Sequence, residues 1–109
     1  MHWFRHDVGT GYLIDPAEPA DGDKVEILET WERFTFLPKS FFGLVNDHGQ
    51  TFQFRRELDG RMLFDTPDES LGGSRQSFGT LEEARDLMLQ FLDSGQLPDR
   101  EGMVFQSWH

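Results

Sequence analysis

Cysteine is absent from this sequence, which excludes a disulfide framework, a thiolate nucleophile and a cysteine metal site together. Long apolar runs are missing too. The longest are four or five residues, far short of the roughly 20 that a membrane-crossing helix requires. Basic residues are scarce, with 10 Lys and Arg against 20 Asp and Glu, for a formal net charge of −10. Such a field repels nucleic-acid phosphates and anionic lipid headgroups, so neither nucleic acid nor a membrane is expected as a partner. The first residues, Met1-His2-Trp3-Phe4-Arg5-His6-Asp7, lead into glycine and acids and not into the apolar stretch of a secretory signal. A cytoplasmic location is the expectation.

Aromatic side chains are plentiful by contrast, at 14% of the chain, and 11 of them are Phe. Each buried ring removes about 150–250 Å² from water, so a few rings compensate for a modest supply of Leu, Ile and Val. At 109 residues the chain has room for one domain with one core. The charge is unevenly placed. Residues 1–37 and 66–109 each carry a net −5, and residues 38–65 are neutral.

Residues 9–23, with Gly9, Gly11, Gly22, Pro16 and Pro19 among several acids, predict a loop with a flexible tip. Residues 24–37 carry two conflicting patterns. Phe34-Thr35-Phe36 alternates like a strand, whereas Val25, Leu28, Trp31 and Phe34 recur three apart like a helix face. A strand through 30–37 is favoured, with a strand or short helix over 24–29. Phe41–Val45, Thr51–Arg55 and Arg61–Asp65 then read as three strands, joined by turns at Asn46-Asp47-His48-Gly49 and Asp59-Gly60. Pro67 and Gly72-Gly73 suggest a further loop. Thr80-Leu81-Glu82-Glu83 has the form of a capping box, followed by the helical stripe Leu81, Ala84, Leu87, Met88, Phe91 and Leu92 and a terminating Gly95. Met103–Trp108 reads as a last strand or an apolar tail on the sheet. The expected fold class is α+β: a three-stranded antiparallel meander at 41–65 with flanking strands, and one main helix over 80–94 packed on one face.

Catalytic chemistry is poorly represented. His2 and His6 stand four apart beside Asp7, but a zinc site needs a further ligand, and only His48 and His109 remain as imidazoles. No HExxH pattern, EF-hand loop or G-x-S-x-G elbow occurs. Gly72-Gly73-Ser74-Arg75 resembles a phosphate cradle, yet Thr80, Glu82 and Glu83 already occupy the following helix start with a cap and negative charge. Acid pairs such as Glu57 with Asp59 or Glu29 with Glu32 are expected by chance among 20 acids. The pattern calls for no cofactor, no metal and no enzyme.

The residues singled out for partner binding are Trp31 and Trp108 as aromatic anchors, Glu29 and Glu32 as acidic neighbours, and Arg55 from the one basic cluster. The layout from the strand Phe41–Val45 through Thr51-Phe52-Gln53-Phe54 and the Thr80-capped helix to the Trp108 tail resembles small acidic immunity proteins of bacterial polymorphic toxin systems. The resemblance covers about residues 40–108 and lies in element order, not in a diagnostic motif. It implies a cytoplasmic protein that neutralises a toxin, with acidic flanks that steer a basic partner. Three other readings stay open: a domain binding an uncharged sugar or peptide through exposed aromatics, an enzyme built from the Gly72–Arg75 loop and an Arg/Glu pair, and a homodimer closing over a bare sheet face.

Overall fold

The computed structural model describes residues 1–108; His109, one of the imidazoles weighed above as a metal ligand, lies outside the described residues. Eight antiparallel strands form one sheet. They are β1 (His2–His6), β2 (Leu13–Ile14), β3 (Ala20–Asp21), β4 (Phe41–Val45), β5 (Thr51–Arg56), β6 (Met62–Asp68), β7 (Gly73–Gly79) and β8 (Val104–Ser107). Their order is β2-β1-β4-β5-β6-β7-β8, with β3 pairing β1 beside β2. Two helices accompany them, α1 (Lys24–Arg33) and α2 (Leu81–Ser94). The α+β class with an antiparallel sheet is therefore the observed one, and the meander runs on from β4 through β8 without a crossover.

Residues 24–33 are helical, against the strand expected through 30–37. Asp23 caps the helix by accepting the Glu26 N–H, and no glycine or proline interrupts it. Ile27 and Trp31, four apart, are its buried residues, whereas Val25 is exposed. The alternating Phe34-Thr35-Phe36 belongs to the irregular connection that follows, where Phe36 takes a positive φ of 48° to turn its ring under Trp31. Two further segments differ from expectation. Gly73–Gly79 is a full strand paired along its length with β6, because hydrogen bonding to a neighbour outweighs the weak propensity of glycine and serine. Within residues 9–23, β2 and β3 each pair two residues with β1.

Register assigns the faces. Trp3, Phe42, Leu44, Phe52, Phe54, Met62 and Phe64 point to one side, where both helices lie and Ile27, Trp31, Ala84, Leu87, Met88 and Phe91 complete the core. Trp31 is the hub, near-perpendicular to Phe42 at 5.0 Å and Phe54 at 5.3 Å between centroids; such pairs contribute about 0.5–1.5 kcal/mol each beyond burial. The helices run antiparallel, tied by Lys24 to Asp93 and by Arg85 to Glu32 at 2.6 Å. Thr80 and Glu83 form the expected capping box at the start of α2, and Gly95 ends it in the left-handed region.

Candidate functional site

The second sheet face has no helix over it. Alternation places His2, Phe4, His6, Phe41, Gln53, Arg55, Leu63, Asp65, Ser74, Gln76, Phe78 and Gln106 on that side. Gln53, Asp65 and Gln76 are direct cross-strand neighbours at its centre. Beside them Ser74 is only 1% exposed. Its hydroxyl lies close to the Asp65 carboxyl, and the Ser74 Oγ and Asp65 Oδ1 are both buried. Burial pushes the Asp65 carboxyl above its ordinary range, outweighing the opposing influence of Ser74, Gln76 and Arg55.

A second feature lies at the β8 end. The helices cover the sheet over β4, β5 and β6, and the same face of β7 and β8 borders a cleft of about 880 Å³. Phe105 and Trp108 line it, 44% and 52% exposed. Asp68, Glu69, Asp99, Arg75 and Arg100 supply its charges. Arg100 is committed elsewhere: it pairs with Glu83 at 2.7 Å, holding that carboxyl below its usual range, and stacks over the Phe64 ring. Arg75 lies close enough to Asp68 to help lower its carboxyl, after the stronger effect of the Ser70 hydroxyl. Glu69 and Asp99 have no ion pair among the described residues.

The outer edge of β8 adjoins this cleft. Over Val104–Gln106 no strand of the described residues pairs on the side away from β7. The segment from Gly102 to Trp108 carries no charge, in a chain with 20 acids. At the opposite edge of the sheet, β1 is shielded by the two-residue strands β2 and β3. Natural edges are commonly blunted in that way, or by Lys, Pro or a bulge.

Of the five residues singled out in the sequence, the structure does not make one patch. Trp31 is 4% exposed and sits in the core, so it offers no surface to a partner. Its place four residues after Ile27 was the signal that it faces inward. Glu29 and Glu32 are exposed on α1, with Glu32 tied to Arg85. Arg55 lies on the open sheet face, paired with Glu57 at 3.2 Å. Only Trp108 reaches the cleft. Val104 and Phe105 carry no binding motif in the sequence; the uncharged run around them in an acidic chain is the signal that marks them.

His2 and His6 lie on a strand, where four residues span roughly 13 Å, too far to share an ion. Among the described residues no group of three His, Asp or Glu side chains is placed to hold a metal. Ser74 stands inside β7 and not in a loop, with the start of α2 occupied by Thr80 and Glu83. No helix is long and apolar enough to cross a membrane among the described residues. Comparison with protein-family models, curated proteins and solved structures finds no match to this chain.

Proposed function

We propose that this chain is a non-catalytic protein-binding domain whose partner is basic. The observation that carries the reading is the β8 edge: uncharged backbone and exposed Val104, Phe105 and Trp108, set beside unpaired Glu69 and Asp99. Aromatic anchors exclude water at a contact, and acids around them speed the approach of a positively charged surface. The net −10 extends that attraction over the whole molecule, within a Debye length of about 8 Å at physiological salt. A cytoplasmic inhibitor that neutralises a basic toxin, in the manner of an immunity protein, is the specific role that fits this chemistry.

The test is capture of partners from cells that make the protein, with washes of increasing salt. A basic protein retained at low salt and released as salt rises supports the reading. Capture that returns no basic protein, or retention indifferent to salt, overturns it.

One observation favours a second role for the open sheet face. Gln53, Asp65 and Gln76 form a polar row across three strands, with Phe78 and Phe41 on the same face. Such a row suits an uncharged polyhydroxyl ligand, which exchanges hydrogen bonds with the two amides. Amide shifts of Gln53 and Gln76 on titration with simple sugars would detect it, and flat titrations would exclude it.

A further inference from the structure

We infer that the partner binds by strand addition: an extended segment bearing Lys or Arg pairs with the outer edge of β8 and extends the sheet by one strand. This rests on the protein-binding reading above and specifies its mode. Three features of the β8 edge support it.

The first is backbone polarity. The Trp108 N–H donates to the Gly72 carbonyl at 3.0 Å, so Trp108 faces β7 with its hydrogen-bonding groups. Along an antiparallel strand those groups alternate sides. Gln106 and Val104 therefore face β7 as well, and Phe105 turns its N–H and carbonyl outward. An incoming strand finds one donor and one acceptor ready at Phe105, in a segment with no charge or proline to oppose pairing.

The second is side-chain placement. Phe105 lines the cleft, and Val104 and Gln106 point to the other face. Alternate residues of an added strand thus fall beside the Phe105 ring, over a cleft with room for one or two apolar side chains. Trp108 and Met103 border the same space.

The third is charge. Arg100 is bound to Glu83, and Arg75 is opposed by Asp68, which leaves Glu69 and Asp99 uncompensated at the cleft. Cationic residues at the ends of the added strand complete these acids. A second copy of this chain would bring an uncharged strand but also another −10, and long-range repulsion disfavours it.

The probes are three short peptides with the same alternating Val-Thr core: one flanked by Lys, one flanked by Glu, and a Lys-flanked version N-methylated on alternate residues. Each is titrated into the isotopically labelled full chain, and amide exchange at Phe105 is followed. The Lys-flanked peptide is expected to slow Phe105 exchange at least tenfold and to bind at least tenfold more tightly than its Glu-flanked counterpart. N-methylation on the pairing edge should abolish the protection. Phe105→Leu should keep it, because the N–H remains; Phe105→Pro, which has no N–H to follow, should bind the Lys-flanked peptide at least tenfold more weakly while the core stays folded, since proline is tolerated where the N–H faces solvent. Equal binding of the Lys and Glu peptides, or binding unaffected by N-methylation, overturns the proposal whatever the variants do. Protection of Phe105 that grows with protein concentration alone overturns it in favour of a second copy. A captured basic partner held equally well by the wild type and a folded Phe105→Pro variant overturns strand addition and leaves the protein-binding reading standing; absence of any basic partner strikes that reading instead.

Discussion

Asp7 is where a small change should cost most, and pH should reveal why. It follows β1, is buried, and accepts three hydrogen bonds: from the Gly9 N–H at 3.1 Å, the Thr35 N–H at 3.2 Å, and the Thr35 hydroxyl. These bonds join the end of β1 to the connection between α1 and β4, 28 residues away. Burial alone would push the carboxyl up, but the bonds from Thr35 and Gly9 outweigh it and hold Asp7 below its ordinary value of 3.8. A hydrogen bond to a charged group contributes about 1.5–3 kcal/mol net, and three sharing one carboxylate are not additive. Asp7→Asn keeps the shape but turns an amide N–H₂ toward a donor, and we expect a loss of about 2–3 kcal/mol at pH 7. Asp7→Ala leaves every donor unsatisfied and should lose about 3–5 kcal/mol. Because the folded value lies below the unfolded one, this stabilisation is fully present above about pH 4 and drains away as pH falls through the folded value. Urea unfolding of wild type and Asp7→Asn between pH 7 and pH 3 measures it directly. The gap should be constant at neutral pH and narrow at the acid end. A gap under about 0.5 kcal/mol at pH 7, or one unchanged down to pH 3, would refute the reasoning.

Three further outcomes are expected. Gly43→Ala places a methyl 2.0 Å from the Phe4 ring, which covers that glycine on the open sheet face; overpacking of this kind should cost about 2–4 kcal/mol, and a denaturation midpoint like wild type would sink the account. Asp65→Asn should stabilise the protein at pH 7 by about 0.5 kcal/mol, a figure already discounted for partial exposure. Its folded carboxyl titrates above the unfolded value, so the ionised form weakens the fold at neutral pH, and the advantage of the variant should shrink as pH falls through that raised value. Lys39→Gly relieves a positive φ of 74° at an exposed residue and should add about 0.5–1 kcal/mol, detectable as a higher thermal midpoint; a lower midpoint would mean that the backbone there is unstrained.

Much of the sheet was legible because its strands advertise themselves locally. Phe52 and Phe54 alternate with Thr51, Gln53 and Arg55, and turns rich in Asn, Asp and Gly stand on either side. The second helix was legible from Thr80 and Glu83, whose reciprocal bonds are an interaction within four residues. The first helix was obscured because Phe34-Thr35-Phe36 imitates a strand while its rings are ordered across the core, Phe34 on Phe42 and Phe36 on Trp31. The strand at Gly73–Gly79 was invisible to propensity, since pairing with distant neighbours makes it. For the candidate site, the sequence marked Trp108 and Trp31 as equals. Burial separates them, and burial is a property of the assembled core. The bare edge at Phe105 depends on strand order, which no local pattern records.

The three tryptophans are sorted by the fold into two optical environments. Trp3 and Trp31 are sealed beneath the helices, and Trp108 stands in solvent at the cleft. Emission from the first two reports whether the core is intact, while quenching by a soluble collider acts mainly on the third. A single unlabelled sample therefore distinguishes a molecule that has bound something at its β8 end from one that has begun to unfold.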